Sequence, residues 1–175
     1  MVQKTYTQVA AADSDITLAS SDAVLFKVHK CNLKVHSEIF ADMFALGNAE
    51  STASDEPVRL SETAAVLELL LQYMYCQPQP DLTEVQFGDL EPIAEAAEKY
   101  GVHAAKPFLR TQMKLFLDTN SQHRPFDVLN FALRHDIKDL GNLAAVACMN
   151  LPLHEAKETL TADFFVKWVS LSQPL

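Results

Sequence analysis

Glycine is scarce: 4 of 175 residues, at Gly47, Gly88, Gly101 and Gly141, each standing alone. Phosphate cradles and dinucleotide folds need clustered glycines, so neither is expected. Basic charge is also in deficit, with 14 Lys+Arg against 23 Asp+Glu and a formal net charge of -9. A surface that tracks nucleic-acid phosphates needs the opposite balance, which argues against DNA or RNA as a partner. No apolar run approaches the ~20 residues of a membrane span; even Val66–Leu71 is broken by Glu68. Met1-Val2-Gln3-Lys4 leads into a polar stretch, and no secretory leader is expected. Cysteine pairing has little to work with. Cys31, Cys76 and Cys148 are odd in number and widely spaced, each in an apolar segment. The expectation is three buried free thiols in a reducing, intracellular compartment, cytoplasmic or nuclear.

What remains is ample for a core. The chain is 49% hydrophobic and 21% charged, enough for one domain, or one domain with an appendage. Its acidity is concentrated. Residues 1–46 hold four bases and five acids, and residues 100–175 hold eight and seven. Residues 47–99 hold eleven acids but only Arg59 and Lys99 as bases, a net of -9. That block is either solvated surface or an acidic contact face.

Residues 1–14 are polar, Ala-rich and without period, and read as a flexible lead-in. Ile16 and Leu18, then Val24, Phe26 and Val28, alternate about the Ser20-Ser21-Asp22 turn, so 15–28 reads as a β-hairpin. A short helical turn follows at 30–34. Ser37 is placed to cap a helix with the face Ile39/Phe40, Met43/Phe44. The stretch 47–57 has no apolar anchor and reads as a mobile loop. Val58 and Leu60 make a short strand, and Ser61 is placed to cap a helix carrying Val66, Leu70, Tyr73 and Met74. Asp89 opens a helix closed by Gly101 at its C-terminal cap. Another helix spans roughly 103–118, with Ala105, Leu109, Met113 and Phe116 inward. After the 120–125 boundary, Pro125 begins a helix with Val128, Leu129, Ala132 and Leu133 inward. Leu140, Leu143, Ala144 and Ala147 mark the next, and Phe164, Phe165, Trp168 and Val169 the last. The fold class is α+β, with strands at the front and helices behind.

No constellation supports catalysis. His29, Cys31 and His36 lie close in sequence but match no common zinc spacing. His103 and His135-Asp136 have no nucleophile in a strand-turn-helix elbow to serve, since no G-x-S-x-G exists. No catalytic, cofactor-binding or metal-ligating residue is therefore assigned, and the chain reads as a non-enzyme without a cofactor. Two charge features stand out. Glu91, Glu95 and Glu98 fall on one helix face, where like charges repel, so the face should be exposed as solvated surface or as a docking surface for a basic partner. Asp15 and Lys30 flank the hairpin and are placed to form a half-buried structural pair.

Three motifs then occur in order: Asp15-Ile16-Thr17-Leu18, Val28-His29-Lys30-Cys31-Asn32-Leu33, and Ser37-Glu38-Ile39-Phe40-Ala41-Asp42-Met43-Phe44. Together they resemble the core of the BTB/POZ family, with its D-[VI]-x-L hairpin, V-H-K-x-x-L turn and S-x-x-F-x-x-M-F helix. Val58-x-Leu60, the Leu67–Tyr75 helix and Tyr100-Gly101-Val102 follow in the family's order, so the resemblance covers about 15–118. The ending Tyr75-Cys76-Gln77-Pro78-Gln79-Pro80-Asp81-Leu82 is most similar to fungal members.

The resemblance implies a BTB/POZ domain at 15–118, a small three-to-five-stranded sheet capped by helices. A C-terminal helical, BACK-like extension at 125–175 would follow. It implies protein partners: a homodimer or higher assembly, or a cullin for which the chain serves as substrate adaptor in a ubiquitin ligase. The alternative within the family is an oligomerising scaffold or transcription-regulator partner with no ligase role. In the cullin adaptors, a hydrophobic-x-Glu signature follows the M-F helix, and here Asn48-Ala49-Glu50 takes that position. Glu50 fits. Asn48 replaces the apolar anchor, a change that weakens a buried contact by roughly 1.5–3 kcal/mol. The residues before Asp15 are too few for the extra strand and helix that cross to the partner in zinc-finger-type relatives.

Overall fold

The computed structural model describes residues 13–47, 56–82, 84–118, 124–149 and 151–172. The sheet begins with the hairpin. Strands β1 (Ile16–Ala19) and β2 (Leu25–Val28) pair antiparallel, with Leu18 opposite Phe26 and Ile16 opposite Val28. Their alternation decides the faces: Leu18, Phe26 and Val28 are fully buried while Lys27 is exposed. Strand β3 (Val58–Arg59) joins β1 in parallel, giving the order β2-β1-β3. The turn between β1 and β2 is closed by Ser20, whose Oγ accepts the Val24 N–H at 2.9 Å.

The helices follow in sequence: α1 (Lys30–His36), α2 (Glu38–Gly47), α3 (Ala64–Gln72), α4 (Phe87–Lys99) and α5 (Lys106–Lys114). A 3-10 turn at Leu115–Leu117 then leads to α6 (Pro125–Arg134), α7 (Lys138–Cys148), α8 (Leu153–Thr159) and α9 (Ala162–Ser172). The fold class is α+β, as the strand and helix patterns required.

Two compact units share the chain. The first comprises residues up to Asp81 together with Pro92–Pro107, and the second comprises Leu82–Glu91 with Phe108 onward. The division falls within α4 at Pro92, which lacks the N–H of a regular helical bond. In the first unit the core gathers Leu18, Phe26, Leu33, Phe40, Leu67, Leu70 and Val102. Phe40 stacks between its neighbours, 5.0 Å from the Tyr100 ring and 6.1 Å from the Phe44 ring. In the second, Val128, Phe131, Leu140 and Ala144 are buried where α6 packs on α7, and Phe126 meets Trp168 edge-on at 5.2 Å.

Several side chains depart from the pattern-based expectation. Ser61 does not cap α3; Thr63 holds the cap position, and the Ala64 N–H is taken by Asp22 Oδ1 at 2.8 Å, from the hairpin turn. Cys31 and Cys76 are exposed, and only Cys148 is a buried free thiol. Ile39, Leu133 and Leu143 face outward rather than into the core. An apolar residue on the flank of a helical stripe is buried only where a neighbouring element covers that flank, which periodicity does not report.

Candidate protein-interaction surface

The first unit builds its surface around α1 and α2, and long-range hydrogen bonds fix both helices. At the start of α1, Asp15 Oδ1 accepts the Lys30 main-chain N–H at 2.7 Å. This corrects the expected half-buried charge pair: Asp15 is exposed, and its carboxylate meets the Lys30 backbone amide at a helix N-terminus. Beside it, His29 is held at both ring nitrogens, by the Tyr75 hydroxyl at 3.1 Å and Asp13 Oδ1 at 3.0 Å. The Tyr75 hydroxyl also accepts the His29 main-chain N–H at 2.9 Å. Burial, the largest influence, raises the Tyr75 phenol above its ordinary value.

Ser37 sets the angle of α2. Its Oγ accepts the Phe40 N–H at 3.1 Å as an N-cap and donates to the Tyr100 carbonyl, while Ser37 bridges Val102 in antiparallel fashion. The Tyr100 end is itself fixed by a Schellman turn. Gly101 has φ +62°, its N–H reaches the Glu98 carbonyl at 3.2 Å, and the Val102 N–H reaches Ala97 at 2.9 Å. Glu62 completes the support, accepting from Lys99 Nζ at 2.7 Å and from the Tyr100 hydroxyl at 2.5 Å.

Anchored in this way, α2 turns Phe40 and Phe44 inward and leaves an apolar side outward. Ile39 is 48% exposed and Leu46 82%, with Val35 of α1 at 77%. Ile39, Asp42 and Leu46 stand at helical spacing on the outer side. The sequence reading counted Ile39 as core and passed over Val35 and Leu46. A signal was present: Leu46 lies six residues from Phe40, well off the Phe40/Phe44 stripe. The helix leads directly into Asn48-Ala49-Glu50, and these three residues lie outside the described residues.

The three glutamates of α4 do not form a fully solvated face. In the first unit Glu98 pairs with Lys106 at 3.0 Å, its side chain only 10% exposed. Glu95 is partly buried. In the second unit Glu91 accepts from Arg134 at 2.6 Å. Basic side chains from elsewhere in the fold offset the like-charge repulsion that had argued for exposure.

Among the described residues, no group of three or more His, Cys, Asp and Glu is placed to hold a metal ion. Among them too, no helix is long and apolar enough to cross a membrane. The perturbed tyrosines reflect packing: burial pushes Tyr73 up to about 12 and raises Tyr100, to which the Glu62 carboxylate adds. Among curated proteins no sequence matches the chain. The family model for the BTB/POZ domain matches residues 7–121, well over half of it. With the hairpin, the Ser37-capped helix and the parallel third strand in that order, the chain belongs to the BTB/POZ domain family, a family of protein-interaction modules.

Proposed function

We propose that the chain is a non-enzymatic protein-interaction module whose contact surface is the outer side of α1 and α2, together with Asn48-Ala49-Glu50, which follow α2 in the sequence. The observation that carries this reading is the exposed apolar set Val35, Ile39 and Leu46 on α1 and α2. Large apolar side chains on an anchored helix bring an apolar cost in water that a partner relieves. In the cullin-adaptor form of the proposal, Glu50 is the signature carboxylate. Leu46, four residues before it in the sequence, supplies the apolar contact that Asn48 does not.

The same exposed side chains favour a second reading, a homo-oligomerising scaffold in which a second copy covers α1 and α2. Within either reading, residues 1–14 are a lead-in, 15–118 the BTB/POZ domain, and 125–175 a BACK-like extension carrying α6–α9. The Pro78/Pro80 segment keeps its resemblance to fungal members. The free thiols suit a reducing intracellular compartment.

Pull-down with purified cullin separates the two. The adaptor reading expects recovery of cullin by the wild-type chain and reduced recovery by Glu50→Ala and Leu46→Asp. No recovery, together with indifference to Glu50→Ala, removes the adaptor role and leaves the scaffold.

A further inference from the structure

The turn between α6 and α7 holds a residue in the left-handed backbone region that few residues other than glycine enter. Asp136 has φ +50°. The Ile137 N–H donates to the Ala132 carbonyl at 2.9 Å, closing α6 as a C-terminal glycine usually does. Glycine would adopt this conformation without the Cβ cost, although aspartate is among the few other residues that enter it. One turn into α7 the converse occurs: Gly141 occupies a helix interior, where alanine is favoured. A Cβ at Gly141 would meet Ala132 Cβ at 3.7 Å, an ordinary contact, so packing of the two helices does not require glycine.

Both residues line one half-open cavity of about 220 Å3 within the second unit, between α6, α7 and α9. Its walls include Leu129, Ile137, Phe164 and Trp168, and Asp136, Lys138 and Lys167 stand among its polar lining. The Lys167 ammonium lies over the Phe164 ring, 5.9 Å from its centre. Two cations and one carboxylate make the polar lining net positive, in a chain whose formal charge is -9.

We infer that this cavity docks a peptide of a partner protein that inserts one bulky apolar side chain and carries carboxylates beside it. The inference rests on the reading of the chain as a protein-interaction module and adds a second contact to it. Size favours a side chain: about 220 Å3 is smaller than the ~300–1,000 Å3 of pockets that enclose a whole small molecule. Charge selects the flanks, since Lys138 and Lys167 attract carboxylates and repel a basic peptide. Asp136 offers an acceptor to a peptide N–H at the mouth. A left-handed aspartate and an unneeded helical glycine are costs retained around one cavity, as binding regions often retain them.

Trp168 is the single tryptophan of the chain and forms part of the wall, so its emission reports occupancy. The probes are capped hexapeptides with a central Leu-Phe pair, flanked by glutamates, by glutamines or by lysines. The glutamate peptide is expected to shift Trp168 emission saturably and to weaken with added salt. The glutamine peptide should bind less well and the lysine peptide not at all. Lys138→Glu with Lys167→Glu should weaken the glutamate peptide about tenfold, equivalent to about 1.4 kcal/mol. Gly141→Ala should raise the melting temperature while weakening binding, and Gly141→Leu should abolish it. The proposal is overturned if no peptide gives a saturable shift, if the three bind alike, or if Gly141→Leu melts cooperatively and binds undiminished. A chain that still self-associates or recovers cullin while Trp168 stays silent refutes this cavity alone. Failure of all these contacts refutes the module reading itself.

Discussion

Glu62 concentrates opposing influences on one carboxylate. Burial, the largest, raises its pKa, but the hydrogen bonds from Lys99 and Tyr100, with smaller help from its own main chain and Ser61, bring it below its ordinary 4.5. A carboxylate held lower in the folded state than in the unfolded chain stabilises the fold above the unfolded value, and that stability is lost as pH falls through the folded one. Glu62→Gln should therefore lose about 1.5–3 kcal/mol at neutral pH, with the deficit closing in acid as pH falls below the ordinary 4.5 and through the lowered folded value. Urea unfolding at both pH values checks this, and a pH-independent deficit contradicts it. Gly101 is the second residue with a defined cost. At φ +62° an added Cβ is strained even though its nearest neighbour, Ile39 Cγ1, is 3.8 Å away. Gly101→Ala should destabilise by about 1–2 kcal/mol in the same assay. Gly101 was legible in the sequence because a Schellman turn is written within six adjacent residues. The Glu62–Lys99 pair and the Asp22 cap on Ala64 were not, because each joins residues 37 or more positions apart, where no local period exists.

At the scale of elements, alternation in the hairpin and helical spacing from Ser37 onward located most strands and helices. Spacing says which side chains share a face, but coverage comes from the rest of the fold. Phe40 and Phe44 are covered within the first unit, while Ile39 is left about half exposed and Leu46 mostly so. Leu143 on α7 and Cys31 on α1 were misjudged for the same reason. The α4 glutamates failed in the other direction, since Lys106 and Arg134 are paired with them across loops and turns. Ser37 joins local and distant structure, capping α2 while binding the Tyr100 carbonyl from a buried position. Ser37→Ala should lower stability by about 1–2 kcal/mol with helix content retained below the transition, measured by circular dichroism. The outer side of α2 should behave oppositely. Ile39→Asp with Leu46→Asp removes exposed apolar groups and should shift unfolding by no more than about 0.5 kcal/mol per site. A large loss there would place those side chains in the core after all.

For the whole molecule, the acidic block has been divided into parts with different roles. Glu62, Glu91 and Glu98 are engaged within the fold, whereas Glu50 comes three residues after α2 in the sequence. Among the remaining acids, Glu50 comes soonest in the sequence after α2, whose outer apolar side chains a partner would cover. The central claim is that this surface makes the protein's contacts. It is tested most directly by the mass in solution from light scattering. The wild-type chain and the Ile39→Asp, Leu46→Asp variant are compared, each alone and mixed with purified cullin. The account predicts a wild-type mass of at least twice the 19.5 kDa of one chain, or a stable complex with cullin, and a monomeric variant that forms neither. A wild-type chain that stays monomeric and uncomplexed throughout, or an assembly that the two aspartates leave unchanged, would contradict it.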